Sequence, residues 1–164
     1  MKKLNFKIVF YLLGIILLLV SCHPEKRMEI EEDNLIQRYL ASLVDTVYVL
    51  KPNGSYYYNI YDDFGSMPVP KDTVQIRFEA RYLDGAIYIS NLYDSLDYPF
   101  IVGNGLTMQC LDEGVRYMRE GGIAKFVTPS YLIYGRLGLF GYLPAYTPLV
   151  WWINLTRVRP GTIK

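Results

Sequence analysis

The pattern of hydrophobic and polar residues changes character along the chain, beginning with a short basic stretch and a long apolar one. Before residue 8 the only charges are Lys2, Lys3 and Lys7, and residues 8–20 then form an apolar run. A basic start followed by about 7–15 apolar residues is typical of a secretory signal, whereas a membrane-spanning helix needs about 20 apolar residues. The pattern therefore predicts a signal peptide.

Residues 29–45 carry their apolar side chains at helical spacing, with acidic residues near the start of the segment. The apolar positions are Ile30, Leu35, Ile36, Tyr39, Leu40 and Leu43. Acidic residues favour the N-terminal end of a helix because they complement its dipole, and apolar residues three or four apart lie on one face. The pattern predicts an N-terminal helix that packs on the domain that follows; dimerisation is the alternative.

From residue 46 to residue 160 the pattern is mostly that of strands. Apolar and polar residues alternate most clearly over residues 73–83, with Phe78 on the apolar face. Further strands are predicted over residues 46–50, 56–61, 86–89, 124–128 and 149–156. One short helix is predicted near residues 108–118, where Leu111 and Val115 share a face. The predicted class is α+β, a mostly antiparallel sheet with one short central helix.

Composition and charge exclude several classes of function. The 17 Lys and Arg residues nearly balance the 16 Asp and Glu residues, so the formal charge of +1 gives no footprint for nucleic acid. One His and two Cys are too few for a His/Cys metal site, and they make a Ser-His-Asp hydrolase an unlikely class. We expect neither a metal nor a cofactor.

The end of the apolar run has a sequence of its own, LVSC, in which the last residue is Cys22. It resembles the lipobox of bacterial lipoproteins. The resemblance implies cleavage after residue 21, a lipid on Cys22, a tether over residues 22–28 and anchoring in the cell envelope. Because His23 rather than Asp follows, similarity to common sorting rules implies the outer membrane. The alternatives are a plain signal peptide with an incidental cysteine and a disulfide from Cys22 to Cys110.

Several short motifs follow one another in the second half of the chain. In chain order they are Tyr82-Leu83-Asp84-Gly85 with Tyr88, Tyr98-Pro99-Phe100-Ile101-Val102-Gly103, Leu111-Asp112-Glu113-Gly114-Val115 with Met118, Lys125-Phe126-Val127-Thr128-Pro129, Tyr134-Gly135, and Leu143-Pro144 with Leu149-Val150-Trp151. Their order and spacing resemble the FKBP-type peptidyl-prolyl isomerase domain over about residues 74–158. The resemblance implies a curved antiparallel sheet wrapped around the short helix, with an apolar pocket between them.

The same resemblance implies a set of pocket residues. Phe78, Tyr98, Leu111, Leu143 and Trp151 would bind the substrate. The backbone N–H of Met108 and the hydroxyl of Tyr134 would hold substrate carbonyls, and Tyr88 would complete the catalytic wall. The implied partners are proline-containing segments of exported proteins, with the membrane reached through Cys22. For Tyr134 the alternative is a hydrogen-bonded core tyrosine.

The sequence departs from the family pattern at three of these positions. Ile89 stands in place of an acidic residue, Leu111 in place of Trp, and Tyr88 in place of Phe. Losing the carboxylate removes a polar anchor, and Leu111 leaves a volume that we expect Tyr142 and Trp151 to refill in part. The predicted function is a lipid-anchored prolyl isomerase or folding helper with reduced turnover; the alternative is an inactive peptide- or protein-binding lipoprotein.

The loop of residues 136–142 is unusually apolar, with Leu137, Leu139 and Phe140 close together. By resemblance this loop overhangs the pocket, where it would form a hydrophobic lip that holds extended chains. The alternative is that its apolar side chains pack on the helix predicted over residues 29–45.

Overall fold

Helix α1 (Pro24–Ser42) opens the part of the chain that the computed structural model describes, residues 24–161. The predicted signal peptide and Cys22 lie outside these residues. The prediction of a tether over residues 22–28 is wrong from residue 24 onward, because helix α1 begins at Pro24. Proline is well tolerated in the first turn of a helix, where its missing N–H would have had no partner, and Glu25 adds a favourable negative charge there.

Seven strands form one antiparallel sheet, of which six overlap predicted segments and β5 does not. They are β1 (Val49–Leu50), β2 (Tyr56–Tyr61), β3 (Thr73–Arg81), β4 (Ile87–Ser90), β5 (Tyr98–Ile101), β6 (Ile123–Thr128) and β7 (Leu149–Arg159). The order across the sheet is β1-β2-β6-β7-β3-β4, and β5 also pairs with β3. The long strands β3 and β7 therefore form the centre of the sheet, and the other strands pair outward from them. The predicted α+β class is confirmed.

The inner face of the sheet carries the core and packs against a short helix. Helix α2 (Gln109–Gly114) continues into a 3-10 turn at Val115–Tyr117, in place of the single predicted helix of residues 108–118. A Cβ atom at Gly114 would lie 3.3 Å from the ring of Phe126, so the glycine lets the helix approach the sheet closely. On β7 the side chains of Leu149, Trp151, Ile153 and Leu155 all face this core.

Three irregularities in strand pairing bend the sheet around α2. The register shifts between Asn59 and Tyr61 where β2 meets β6, after Gln75 where β3 meets β7, and after Ala80 where β3 meets β4. Such bulges increase the local twist and bend the strand that contains them. The resulting concave inner face positions the candidate site.

Helix α1 covers the opposite, outer face of the sheet. Its Ile36 is 2% exposed and packs with Val127 of β6 and Val150 of β7, so the predicted docking on the domain is confirmed. The carboxylate of Glu32 is also buried and accepts hydrogen bonds from the backbone N–H and the hydroxyl of Ser130. Within residues 24–161, the helices are too short or too polar to cross a membrane.

Candidate functional site

The floor of the candidate site is a group of buried apolar side chains on the concave face. Phe78, Leu111, Leu143 and Trp151 are each less than 8% exposed and belong to one cluster. The rings of Phe78 and Trp151 lie 5.8 Å apart between centroids. The indole N–H of Trp151 donates to the hydroxyl of Thr128 over 3.0 Å, so burying this nitrogen leaves no unpaired donor.

Half-buried side chains stand around this floor. Tyr88, Met108 and Tyr134 pack against the same cluster while remaining partly accessible. Tyr98 is 40% exposed and meets the ring of Phe78 edge-on, with 5.9 Å between centroids. The structure thus gathers the predicted pocket residues on one side of the sheet; the role assigned to each of them stays a prediction.

The phenol groups of the rim influence one another. Burial raises the pKa of Tyr88, and the neighbouring phenols of Tyr134 and Tyr82 raise it further. Tyr88 therefore keeps its proton at neutral pH and is able to donate a hydrogen bond. Between the described residues, the tyrosine hydroxyls that form hydrogen bonds are those of Tyr56, Tyr82 and Tyr131, which leaves the hydroxyl of Tyr134 available to a ligand.

The backbone at Met108 adds a second type of donor. Met108 has an extended conformation, with φ −59° and ψ 136°, directly before α2. Its carbonyl oxygen accepts from the N–H groups of Leu111 and Asp112, both at 3.0 Å. Its own N–H has no backbone acceptor among the described residues, so it is free to bind the carbonyl oxygen of a peptide.

Buried polar residues that were not predicted hold the strands and loops beneath the site. Asn91 fixes β3, because its side-chain oxygen accepts from the N–H of Phe78 at 2.6 Å and its amide donates to the carbonyl of Ile76. Asp112 accepts from the N–H of Gly103 at 2.6 Å and pairs with Arg116 at 2.7 Å. Asp112 belongs to the motif Leu111-Asp112-Glu113-Gly114-Val115. For Asn91, the sequence shows only that the residue follows a predicted strand.

The loop of residues 136–142 ends in a small hairpin. Leu139 and Leu143 exchange two backbone hydrogen bonds of 2.7 and 2.8 Å, and Gly138 has a positive φ of 62° at its base. A Cβ atom there would overlap the carbonyl oxygen of Leu143, so the position requires glycine. Phe140 at the tip is fully exposed.

The exposed fractions of Tyr142 and Leu137 decide two expectations for this loop. Tyr142 is 76% exposed, so the prediction that it refills space near Leu111 is wrong; it lies at the hairpin and not beneath the helix. Leu137 is 83% exposed, so it is not buried on α1. The loop does reach α1 through an ion pair of 2.9 Å between Arg136 and Glu25.

The nucleophilic and metal-binding groups of the described part of the chain are few. Cys110 is buried within α2, and burial raises the pKa of its thiol, which makes it a poor nucleophile. Over residues 24–161 no group of three or more His, Cys, Asp or Glu side chains is arranged to hold a metal ion. The described site is a cluster of aromatic and aliphatic side chains with hydroxyl and N–H donors beside it.

Comparison with protein families and curated proteins gives a consistent match. Residues 65–156 match the family described as FKBP-type peptidyl-prolyl cis-trans isomerase. An FK506-binding protein of Neisseria meningitidis serogroup C is 27% identical over 100 residues, which cover 61% of this chain and 92% of that protein. The human protein named peptidyl-prolyl cis-trans isomerase FKBP2 is 29% identical over 91 residues, covering 56% of this chain and 64% of its own length.

Solved structures show the same fold at lower sequence identity. A peptidyl-prolyl cis-trans isomerase of Pseudomonas syringae superimposes with a TM-score of 0.71 at 20% identity, over 85% of this chain and 99% of that one. FkpA of Escherichia coli gives a TM-score of 0.71 at 21% identity, over 98% of this chain and 76% of that one.

Proposed function

The chain belongs to the FKBP-type peptidyl-prolyl cis-trans isomerase family, and we propose that it accelerates rotation about X-Pro bonds of polypeptide segments that enter the concave pocket. The observation that carries the proposal is the combination of an apolar floor with three half-buried neighbours, Tyr88, Met108 and Tyr134. This combination offers a proline ring a dry surface and offers the adjoining carbonyl groups nearby donors.

The reaction requires no nucleophile. Rotation of a peptide bond faces a barrier of about 18–20 kcal/mol because resonance keeps the bond planar. An isomerase lowers this barrier by binding the twisted amide more tightly than the planar one. The twisted amide has lost resonance and is less polar, so a pocket without water favours it, while the N–H of Met108 and the hydroxyl of Tyr134 hold the flanking carbonyl groups in place.

Two substitutions support the further proposal that turnover is reduced. Ile89, 41% exposed on β4, occupies the position at which the family pattern has an acidic residue. Leu111 occupies the position at which the family pattern has a tryptophan in the floor, and its side chain is smaller and not aromatic. A looser floor weakens contact with the proline ring; large-to-small changes in buried sites cost about 2–5 kcal/mol when the site does not close around them.

The test is exchange spectroscopy by NMR on a short Leu-Pro peptide mixed with the purified chain. We expect faster cis/trans exchange than in the free peptide. Tyr134→Phe is expected to lower the acceleration roughly threefold to tenfold, because one hydrogen bond to the substrate is lost. Tyr93→Phe is the matched control, since Tyr93 is 95% exposed and removal of its hydroxyl leaves the pocket intact. An exchange rate that the wild-type chain does not change would overturn the proposal.

A second function is favoured by the exposed hairpin. Leu137, Phe140 and Tyr142 offer three large exposed side chains on an ordered turn, and such a surface suits the holding of unfolded chains without turnover. If this function is separate, the chain suppresses aggregation of a proline-free unfolded polypeptide, and Phe140→Ser weakens that effect while leaving isomerisation of the Leu-Pro peptide unchanged.

The location of the protein is also a proposal. We infer a lipid on Cys22 and an outer-membrane position for the folded domain, on the strength of the sequence LVSC and the His23 that follows it. The clients would then be proteins of the cell envelope. Incorporation of a labelled fatty acid into the wild-type chain but not into Cys22→Ala is the expected result. Recovery of the labelled protein with the inner membrane would refute the outer-membrane assignment.

A further inference from the structure

A cavity of about 930 Å³ lies between α1 and the segment of residues 129–138. Ile36 of α1 and Leu50 of β1 form part of its wall, and Tyr134 is the one residue that it shares with the predicted isomerase pocket. This volume is near the upper end of the range of about 300–1,000 Å³ that is usual for ligand pockets. Because Tyr134 belongs to both, the cavity and the predicted pocket are adjacent.

The lining of this cavity combines aromatic rings with negative charge. Its tyrosines are Tyr56, Tyr131, Tyr134 and Tyr146, and its acidic residues are Glu29, Glu32 and Asp33. Arg136 is the only basic residue of the lining, and its guanidinium is paired with Glu25 at 2.9 Å. Glu32 is occupied by Ser130. Glu29 and Asp33 are exposed and form no ion pair with another described residue.

The same negative charge raises the pKa of two tyrosine hydroxyls in the cavity. Partial desolvation raises the pKa of Tyr146, and the carboxylates of Glu25 and Glu29 raise it further. The pKa of Tyr131 is raised first by burial and then by the carboxylate of Glu32. These carboxylates and phenol rings line the same cavity and are therefore available to one bound group.

We propose that this cavity binds a lysine- or arginine-bearing segment of an extended polypeptide next to the isomerase pocket. A cation between phenol rings and carboxylates gains both cation–π attraction and ion pairing. An apolar segment would remove water from Glu29 and Asp33 without compensation, and an acidic segment would be repelled. Resting on the proposed function, the inference adds a substrate class: X-Pro segments with a basic residue within a few positions of the proline.

The test uses three peptides and the full chain. The first carries Leu-Pro and a nearby arginine, the second replaces the arginine by neutral citrulline of the same shape, and the third carries the arginine but no proline. We expect the first to bind about tenfold more tightly than the second, with a difference that shrinks at high salt. NMR shifts from the third peptide should involve Tyr56, Tyr131 and Tyr146.

A double variant isolates the charges. Glu29→Gln with Asp33→Asn is expected to abolish the preference for arginine over citrulline while leaving isomerisation of the citrulline peptide unchanged. Glu31→Gln is the matched control, because Glu31 lies on α1 outside the cavity and pairs with Arg27. Equal affinity for the first two peptides, or shifts confined to residues around Tyr88, would overturn the inference.

The outcomes separate this inference from the proposed function. Accelerated exchange without a preference for arginine removes the cavity site and leaves the isomerase. Binding of the proline-free peptide without any accelerated exchange removes the isomerase and leaves a basic-segment site. Self-association of the chain that the double variant abolishes would mean that a second copy occupies the cavity, and the inference would then be wrong.

Discussion

The two faces of the sheet are held by different kinds of interaction. On the inner face, twenty buried residues from the strands, loops and α2 form one apolar cluster. On the outer face, Ile36, Val127 and Val150 form a small buried group with five half-buried apolar side chains around it. Helix α1 is also held there by the hydrogen bonds that Glu32 accepts from Ser130 and by the one that Gln37 donates to Tyr56. The inner face therefore depends on burial of a large apolar area, whereas the outer face combines a smaller apolar group with a few directional hydrogen bonds.

This difference affects the candidate site because one segment belongs to both faces. Leu132 is 2% exposed and sits in the inner cluster, while Ser130, two residues earlier, is bound to Glu32 of α1. Tyr134 lies two residues after Leu132. The position of this tyrosine thus depends on packing from one side and on a buried carboxylate from the other. Substitutions on the two faces should separate stability from the geometry of the pocket.

The largest expected effect comes from adjacent tryptophans that lie on opposite faces of β7. Trp151→Ala should lower the free energy of unfolding by about 3–5 kcal/mol, because it opens a cavity beside Phe78 and removes a donor to Thr128. Trp152→Ala, on the outer face where the side chain is only half-buried, is the control and should cost less than half as much. Urea unfolding measures both. Equal losses would contradict the difference between the faces.

Much of the inner face could be predicted from the sequence because apolar and polar residues alternate along its strands. The alternation over residues 73–83 assigned Phe78 to the apolar face, and the structure confirms that Phe78 is buried. The start of α1 could not be found in this way. The stretch before residue 29 has the composition of a linker, and the sequence does not reveal whether Pro24 ends a tether or begins a helix.

The next largest effect concerns the carboxylate beneath α1. Glu32→Ala should cost about 1–3 kcal/mol, since the buried N–H and hydroxyl of Ser130 would lose their acceptor. Glu32→Gln keeps one acceptor oxygen and should cost less. Both variants should speed hydrogen exchange at Ser130 more than at amides of β3. Glu31→Ala, on the exposed side of α1, should change the free energy of unfolding by less than about 0.5 kcal/mol.

The pocket residues and their supports differ in how visible they are in the sequence. Tyr88, Tyr134 and Leu111 were found because family motifs contain them in a fixed order. The bond between Glu32 and Ser130 joins positions 98 residues apart, and the sequence has no pattern that pairs two distant polar groups. The cavity beside Tyr134 was missed for the same reason, since it exists only where α1 meets that segment.

The smallest expected effect depends on pH and involves a polar cluster at the outer face. A hydrogen bond from the Thr156 hydroxyl holds the pKa of Asp97 below its usual range, aided by Arg77 at 2.7 Å and by the charge of Arg157, while partial burial opposes them. The unfolded chain has a pKa near 3.9 for this group. Because the folded pKa is the lower one, the stabilisation is present above about pH 4–5 and is lost as pH falls through the folded value.

Asp97→Asn tests this reading of the outer face, because asparagine keeps the shape and loses the titration. The carboxylate of Asp97 is 23% exposed, so solvent weakens the interaction, and we expect a loss below about 1 kcal/mol at pH 7. The wild-type advantage over the variant should vanish as the pH approaches 2, in urea unfolding measured at several pH values. An advantage that stays constant down to that pH would mean that Asp97 acts by shape and hydrogen bonding alone. The charge of Asp97 would then not stabilise the outer face. The polar contribution that distinguishes the outer face from the inner one would come from Glu32 and its hydrogen bonds to Ser130.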